Sequence, residues 1–378
     1  MAKKKFVIIT RSFYPRNSPR GHRATELVKE LCRQGHKVHV VAPANAAQHA
    51  LQKEYGFTLS DLGNEWPEIP IEWLGRKRWV LRVIRRALLQ LIYYPDIYLM
   101  FRIARILRNI EPQDAAISIA APHSVHWGVS KAIKKGNFPA SIWVADCGDP
   151  FMGLENDSFK KMPYFGGLEK EFCECANFIT VPTSESKKAY YPEFLPKIRV
   201  IPQGYNIEDY CHLKDESPVE DGVVRFAYAG LFIPGKRDPR PLLDYLVKID
   251  CKFEFYIYTR DASLVYPYMV RDARVKIRGF VDREVLLQEL SRMNFLLSFV
   301  YPGKSQTPSK LIDYWLTGRP ILSLDTNELD LDVLNEFLSE KYEKAFQIEY
   351  PKSYEIGNVV REFESLADQA LADKMQYN

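Results

Sequence analysis

The sequence has no long apolar segment. No uninterrupted run reaches the ~18 apolar residues that a transmembrane helix needs. The N-terminal apolar run, residues 6–9 after three lysines, is too short for the core of a signal peptide. We therefore expect a cytoplasmic protein whose six cysteines are reduced.

The sequence is also poor in metal and dinucleotide motifs. Cys173 and Cys175 are the only close cysteine pair, and C-x-C with no nearby histidine is not a zinc spacing. Asp330 and Asp332 have the D-x-D spacing of metal-using transferases, but their stretch has the apolar periodicity of a helix surface. No G-x-G-x-x-G follows the first predicted strand, which argues against a nicotinamide dehydrogenase. We expect no metal and no cofactor.

Length and charge favour a two-domain protein with an anionic ligand. A chain of 378 residues exceeds the roughly 250–300 residues at which single cores stop growing. The net charge of +4 is too mild to indicate a nucleic-acid partner. It suits an anionic ligand or an anionic membrane surface.

Short apolar runs alternate with helical periodicity through most of the chain, and the pattern restarts after a break near 202–205. This predicts an α/β protein with two Rossmann-like, doubly wound domains facing across a cleft. The predicted domains are 1–203 and 204–357, with a C-terminal helix, 358–378, that could cross back to the first domain. Strands are predicted at 6–10, 37–41, 115–119, 141–145, 178–181, 199–201, 223–229, 253–258, 275–278, 295–299 and 320–324.

Residues 76–94 form a basic amphipathic segment. Arg82, Arg85 and Arg86 alternate with leucine, valine and isoleucine, and Trp79 and Tyr93 flank the run. Such a helix can lie in a membrane interface rich in anionic lipid. A basic, solvated face on a helix that covers the sheet would give the same pattern, and both interpretations stay open.

The strongest local signal runs from Thr307 to Gly318. Thr307 is a good N-cap, Pro308 suits the first helical turn and Gly318 suits the helix end. The N–H groups of Ser309 and Lys310 then have no partner within the helix, and they lie at the positive end of its dipole. This arrangement predicts a phosphate site.

Asp313 lies one turn beyond Lys310 on the same predicted helix face. A carboxylate there can accept hydrogen bonds from the two hydroxyls of a ribose. The alternative is a capped structural helix that carries an exposed Lys310–Asp313 pair.

A second anion feature follows the strand at 223–229. Gly230 and Gly235 permit close backbone approach, and Lys236 and Arg237 supply positive charge. Both anion features follow parallel strands, at whose carboxyl ends open α/β sheets bind ligands. Two anion sites on one edge suit a diphosphate.

With these motifs the sequence resembles a retaining glycosyltransferase of the GT-B fold, of the large family four that is frequent in bacterial polysaccharide and lipopolysaccharide assembly. The resemblance spans nearly the whole chain. Its pieces, in order, are Phe13-Tyr14-Pro15, Gly21-His22-Arg23, Gly35-His36-Lys37-Val38, Pro122-His123-Ser124-Val125-His126, the stretch from Ala145 to Phe151, Val200-Ile201-Pro202-Gln203-Gly204-Tyr205, Tyr228-Ala229-Gly230 and Pro308-Ser309-Lys310.

The resemblance implies a nucleotide-diphosphate sugar held mainly by the second domain and a glycan or lipid-linked acceptor held by the first. His123 resembles the active-site histidine that contacts the transferring sugar. The other roles that it implies are Gly21, Gly230, Lys236, Arg237, Ser309 and Lys310 at the diphosphate, Asp313, where the family usually has Glu, at the ribose, and Gly279, Phe280 and Val281 beside the base.

Two positions depart from the family pattern. Ser305 stands where a second Glu often contacts the sugar, and Gly148 stands where this branch often has Arg.

Catalysis would stabilise the departing nucleoside diphosphate with N–H groups and cations, without a metal. Asp149 is a candidate to stabilise the positive charge on the sugar ring, and His126 is interpreted as structural. A sugar-nucleotide epimerase or hydrolase, and a non-catalytic GT-B binding subunit, remain as alternatives.

Overall fold

The protein is described here by a computed structural model that covers residues 3–16, 18–64, 66, 78–148, 150–153, 161–235, 237–300, 309–326, 328–348 and 352–376. The chain forms two compact units. Unit 1 comprises Met1–Tyr205 with Lys352–Asn378, and unit 2 comprises Asn206–Pro351. The divisions therefore lie at 205/206 and 351/352, where the sequence predicted them at 203/204 and 357/358.

Unit 1 contains a seven-stranded parallel sheet. Its strands are β1 (Lys5–Thr10), β2 (Lys37–Ala42), β3 (Thr58–Asp61), β4 (Gln113–Ile119), β5 (Ala140–Asp146), β6 (Phe178–Val181) and β7 (Ile198–Val200). They lie in the order β3-β2-β1-β4-β5-β6-β7. The chain first adds strands on one side of β1 and then, from β4 onward, on the other side, so the strand order reverses between β1 and β4 although all strands are parallel. The central strands β1, β4 and β5 are buried along most of their length because helices cover both faces of the sheet.

The helices of unit 1 before the crossing to unit 2 are α1 (Pro19–Arg33), α2 (Ala46–Tyr55), α3 (Arg78–Ile92), α4 (Tyr98–Leu107), α5 (Ser124–Lys134), α6 (Tyr164–Cys175) and α7 (Ser184–Lys187). α1 begins after Ser18, whose hydroxyl accepts the N–H of Gly21 at 3.0 Å. It ends before Gly35, whose φ of 80° lies in the left-handed region that favours glycine.

Unit 2 repeats the architecture with five parallel strands: β8 (Val224–Ala229), β9 (Phe253–Tyr258), β10 (Val275–Arg278), β11 (Phe295–Val300) and β12 (Ile321–Asp325). The order is β10-β9-β8-β11-β12, which reverses between β8 and β11. Phe226 stacks between Phe255 and Phe295, with ring centroids 4.6 Å apart in both pairs. The helices are α8 (Arg240–Leu246), α9 (Tyr266–Arg271), α10 (Arg283–Ser291), α11 (Ser309–Thr317) and α12 (Leu331–Leu338).

The last helix, α13 (Ile356–Gln376), packs on unit 1. Its buried Val359, Val360 and Phe363 join the core on the side of the sheet that α1 covers. The predicted α/β class with two parallel, doubly wound sheets is confirmed. None of the described helices is both long and apolar enough to cross a membrane.

Candidate functional site

The two anion features predicted in unit 2 flank the point where its strand order reverses. Gly230 directly follows β8, and α11 begins after β11, the neighbouring strand. At this point the connections leave the sheet toward opposite faces, and the carboxyl ends of the strands border a crevice that binds ligands in open α/β sheets. Gly230 has a φ of 149°, which side-chain-bearing residues rarely adopt.

The segment from Gly230 to Arg237 folds back on itself. Ile233 and Arg237 exchange backbone hydrogen bonds of 3.1 and 2.8 Å. The positive charge of Arg237 opposes the rise that burial causes in the pKa of Tyr228, and the buried Nε of Arg237 finds no acceptor in the described part of the chain. A cation with an unused buried donor is suited to an anionic ligand. Lys236, predicted beside it, lies outside the described residues.

α11 is attached to β8 through a residue that the sequence did not single out. The buried hydroxyl of Tyr314 accepts the backbone N–H of Ala229 at 2.9 Å. This bond ties the middle of α11 to the strand end that precedes Gly230. The sequence does contain a signal for this contact: a tyrosine on the apolar face of the predicted helix, whose buried hydroxyl needs a hydrogen-bond partner. The side chains of Ser309 and Lys310 lie outside the described part, as do residues 301–308, so the phosphate site at this helix start stays a prediction.

Asp313 takes part in an ion pair that differs from the Lys310–Asp313 pair considered from the sequence. Arg283, the first residue of α10, donates from Nε and Nη2 to Asp313 Oδ1 at 3.0 and 2.6 Å. Arg283 Nη1 also donates to the Tyr210 hydroxyl at 2.5 Å. Burial raises the pKa of Asp313, and Arg283 opposes that rise.

The predicted base-binding residues Gly279, Phe280 and Val281 directly follow β10. The Phe280 side chain is 56% exposed, and the guanidinium of Arg260 lies 4.1 Å from the centre of its ring. An exposed ring at the carboxyl end of the sheet offers a flat surface on which an aromatic base can stack.

In unit 1, Gly21 and His123 lie on the two sides of the other strand-order reversal. Gly21 is in the first turn of α1, after β1, and His123 precedes α5, after β4. A Cβ on Gly21 would lie 2.3 Å from the carbonyl oxygen of Arg16. Glycine is therefore required here by the loop that folds over the start of α1.

His123 is buried among aromatic rings. Its ring centre lies 5.3 Å from that of Phe151 and 5.8 Å from that of His126, and its backbone N–H donates to the Tyr93 hydroxyl at 3.4 Å. His126 is fully buried, with Nδ1 2.7 Å from Ser118 Oγ and Nε2 3.3 Å from Cys147 Sγ. Burial lowers the pKa of His126 well below its ordinary value.

A buried charge network at the end of β5 was missed by the sequence reasoning. Asp146 accepts hydrogen bonds from Arg23 Nε and Nη2 at 3.2 and 3.0 Å, from Arg20 at 3.3 Å and from Thr180 at 2.7 Å. Arg23 is almost fully buried and also donates to the carbonyl of Pro202. The signal was a charged residue at the end of an apolar strand. Asp149, the predicted catalytic carboxylate, lies outside the described residues.

The D-x-D sequence has a structural role at its first aspartate. Asp330 caps α12 by accepting the N–H of Val333 at 3.0 Å. Among the described residues no three or more His, Cys, Asp or Glu side chains are grouped so that they could hold a metal ion.

Comparison with known proteins agrees with this architecture. The sequence profile described as Glycosyltransferase Family 4 matches residues 21–209. No curated protein sequence matches the chain.

Solved structures show the same fold across nearly the whole chain. A glycosyltransferase from Rickettsia africae ESF-5 matches with a TM-score of 0.59 and 12% identity, covering 98% of this chain and 99% of that one. Anabaena HepE in complex with UDP and glucose matches with a TM-score of 0.55 and 12% identity, covering 99% and 100%. The lipopolysaccharide outer core galactosyltransferase WaaB matches with a TM-score of 0.50 and 14% identity, covering 99% of each chain. These likenesses confirm the GT-B fold. Because the profile covers half of the chain, the protein belongs to Glycosyltransferase Family 4 and is a glycosyltransferase.

Proposed function

We propose that this glycosyltransferase moves a sugar from a nucleotide-diphosphate sugar to a glycan or lipid-linked acceptor, with retention at the anomeric carbon and without a metal. The observation that carries the proposal is the position of Gly230, Arg237 and the start of α11 around one strand-order reversal. That position is where a diphosphate binds in doubly wound sheets. The UDP-bound Anabaena structure is similar support for a nucleotide-sugar donor.

The proposed chemistry places positive charge where the departing diphosphate becomes more negative. The Arg237 guanidinium, the N–H groups at the start of α11 and Lys236 and Lys310 would stabilise that charge in the transition state. Asp313 would accept the ribose hydroxyls, and the exposed ring of Phe280 would stack on the base. In unit 1, His123 would contact the transferring sugar and Asp149 would stabilise the positive sugar ring.

We further propose that the enzyme acts in the cytoplasm, at the inner face of the membrane, in cell-surface polysaccharide assembly. The support is α3, on which Val83, Ile84 and Leu89 are exposed beside the exposed Arg82 and Arg86. A helix with exposed apolar and cationic side chains suits the interface of a membrane that contains anionic lipid. WaaB, named as a lipopolysaccharide galactosyltransferase, is consistent with this setting.

The donor site can be tested by nucleotide binding. UDP, GDP, ADP, CMP and dTDP would first be screened by thermal shift, and the best ligand would be titrated by calorimetry. We expect Lys310→Ala and Arg237→Ala each to raise its Kd about 10- to 100-fold, because each removes a charge-assisted contact. The matched control is Lys248→Ala. Lys248 is an exposed lysine before β9, at the amino ends of the strands of the same sheet, whereas the proposed site lies at their carboxyl ends. Unchanged affinity in both site variants would refute the donor site.

Turnover assays separate the proposed reaction from its alternatives. A transferase releases nucleoside diphosphate faster when acceptor is present. An epimerase or hydrolase alters the donor without any acceptor. A binding subunit holds the nucleotide and releases no product, and either of these last two results would overturn the proposed transfer.

A further inference from the structure

The segment that opens unit 2 lies along the two helices of the proposed nucleotide site. It contains a 3₁₀ helix, Glu208–Asp215, and ends at Glu216. Lys214 Nζ lies 4.2 Å from the centre of the Trp315 ring on α11. Glu216 is held from both helices, because Arg292 after α10 pairs with its carboxylate at 3.1 Å and Arg319 after α11 donates to its carbonyl at 2.7 Å.

One guanidinium joins this segment to the proposed ribose carboxylate. Arg283 donates twice to Asp313 and once to Tyr210, and it also lies 4.8 Å from the centre of the Tyr210 ring. The Arg283 side chain is largely buried, whereas that of Asp313 is 21% exposed. The three side chains therefore form a continuous hydrogen-bonded chain from the opening segment to α11.

The ion pair leaves part of the carboxylate for a ligand. Both hydrogen bonds from Arg283 reach Oδ1 of Asp313, and within the described residues Oδ2 accepts none. The two bonds to one oxygen fix the carboxylate's rotation, so the direction of Oδ2 is set before a ligand arrives. Burial of Asp313 favours its protonated form, and the adjacent guanidinium favours the ionised form that accepts hydrogen bonds.

We propose that Arg283 is a positioning residue for the donor: it holds Asp313 through Oδ1 so that Oδ2 receives the ribose hydroxyls of a nucleoside diphosphate, and through Tyr210 it links nucleotide binding to residues 206–216. This proposal rests on the proposed function, because it needs Asp313 at the ribose. A ligand on Oδ2 restrains Asp313 and Arg283, and the restraint reaches Tyr210 because hydrogen bonds in one network strengthen one another.

Donor kinetics and binding test the positioning role. The best nucleoside diphosphate of the thermal-shift screen is titrated into wild type, Asp313→Ala, Arg283→Gln and Arg283→Lys, and donor KM and kcat are measured for each. We expect Arg283→Gln to raise Kd and donor KM about 10-fold or more, with kcat changed less than donor KM. Arg283→Lys, which can still hold Oδ1 with one hydrogen bond, recovers part of that loss.

Arg292→Gln is the matched control. It removes another arginine that holds the same opening segment, through Glu216, but that does not contact Asp313. If Arg283 only stabilised the segment, both variants would change donor KM alike. We expect only the Arg283 variants to do so.

Hydrogen exchange tests the link to Tyr210. In wild type, nucleoside diphosphate should slow exchange in residues 206–216, and Tyr210→Phe should remove that slowing while the nucleotide still binds. Absence of ligand-dependent slowing in wild type would overturn the link.

The outcomes also distinguish this proposal from the function on which it rests. If no nucleotide binds wild type, the proposed function fails. If Asp313→Ala weakens binding but Arg283→Gln does not, the donor site stands and the positioning role is refuted. Each variant's circular dichroism and melting temperature without ligand show whether it is folded.

Discussion

Gly148 follows β5 and lies against the guanidinium of Arg20, a residue of α1. A Cβ at position 148 would lie 2.2 Å from Nη2 of Arg20 and 2.9 Å from its Cζ. Arg20 reaches Asp146 at 3.3 Å, while Arg23 already contacts both oxygens of that carboxylate. The glycine, a departure from the family pattern, is thus explained by the space that a neighbouring arginine fills.

Gly148→Ala should act by displacing Arg20. We expect it to lower the free energy of unfolding by about 1 kcal/mol, because a partly exposed ion pair is lost. In an Arg20→Ala background the same substitution should cost almost nothing, since the clash no longer exists. Urea unfolding of the two single variants and the double variant measures this coupling.

Gly167→Ala is the control for that cycle. Gly167 lies inside α6, and a Cβ there would meet nothing within 4 Å. Alanine should therefore stabilise the helix by about 0.5–1 kcal/mol, with no dependence on Arg20. Equal costs for Gly148→Ala with and without Arg20 would contradict the displacement.

Three strands were predicted with the bounds that the structure has. The bounds 178–181, 253–258 and 275–278 coincide with β6, β9 and β10, because β6 is a continuous apolar run and β9 and β10 carry apolar residues at alternate positions. β3 was missed, since Thr58–Asp61 is an edge strand whose residues are partly or fully exposed. β10 is also an edge strand, but its Val275 and Ile277 supply the apolar alternation that β3 lacks.

The site was predictable only where its chemistry is local. Gly230 and the start of α11 each follow the end of a strand in the sequence, and so the parallel topology places both at the carboxyl ends of the strands. Arg283 and Asp313 are 30 residues apart, and Arg23 and Asp146 are 123 apart. Such partners depend on how crossover helices pack, which no local pattern specifies.

At the scale of one helix, α3 gives a test of the membrane surface. Replacing Arg82, Arg85 and Arg86 by Glu should lower pelleting with phosphatidylserine-containing vesicles at least 10-fold, because each lost cation removes roughly 1 kcal/mol of attraction. Sedimentation of the protein with vesicles of phosphatidylcholine, with and without phosphatidylserine, measures this. The apolar side chains of α3 are unchanged in the variant.

A second basic helix supplies the matched control for α3. Glutamate at Lys131, Lys134 and Lys135, in and after α5, reverses the same number of charges elsewhere on unit 1. Equal losses of pelleting in the two triple variants would show a general charge effect and would discard α3 as the membrane contact.

At the scale of the whole molecule, unit 1 consists of two segments that unit 2 separates in the sequence, and these segments are hydrogen-bonded to each other. Tyr205 donates its N–H to the carbonyl of Tyr354 and accepts the N–H of Ile356, at 2.8 and 2.9 Å. Further along α13, Oε1 of the buried Glu364 lies 2.9 Å from His36 Nε2. His36 Nδ1 in turn accepts the N–H of Lys4, so the neutral ring connects β1 to α13. This contact gives the Gly35-His36 motif a structural reason.

We expect three histidines to make unit 1 less stable in acid. Burial lowers the pKa values of His36, His39 and His126; Glu364 acts against the shift at His36, and His123 and Arg20 add to it at His126. The unfolded chain therefore binds protons at a higher pH than the folded protein does. The free energy of unfolding that the neutral rings contribute is fully present above the ordinary histidine pKa near 6.5, and it is lost as the pH falls below that value.

The fully buried His126 allows this acid sensitivity to be measured. Below about pH 6.5 each such histidine should remove up to about 1.4 kcal/mol of unfolding free energy per pH unit. Urea titrations between pH 7.5 and 5.5, followed by the fluorescence of the buried Trp127 and Trp143, should show a shallower decline for His126→Asn than for wild type. Glu169, whose pKa burial raises, acts in the opposite direction but is common to both proteins and cancels. His49→Gln, at an exposed position on α2, is the control, and an equally steep decline in His126→Asn would show that the buried imidazole does not cause the acid sensitivity.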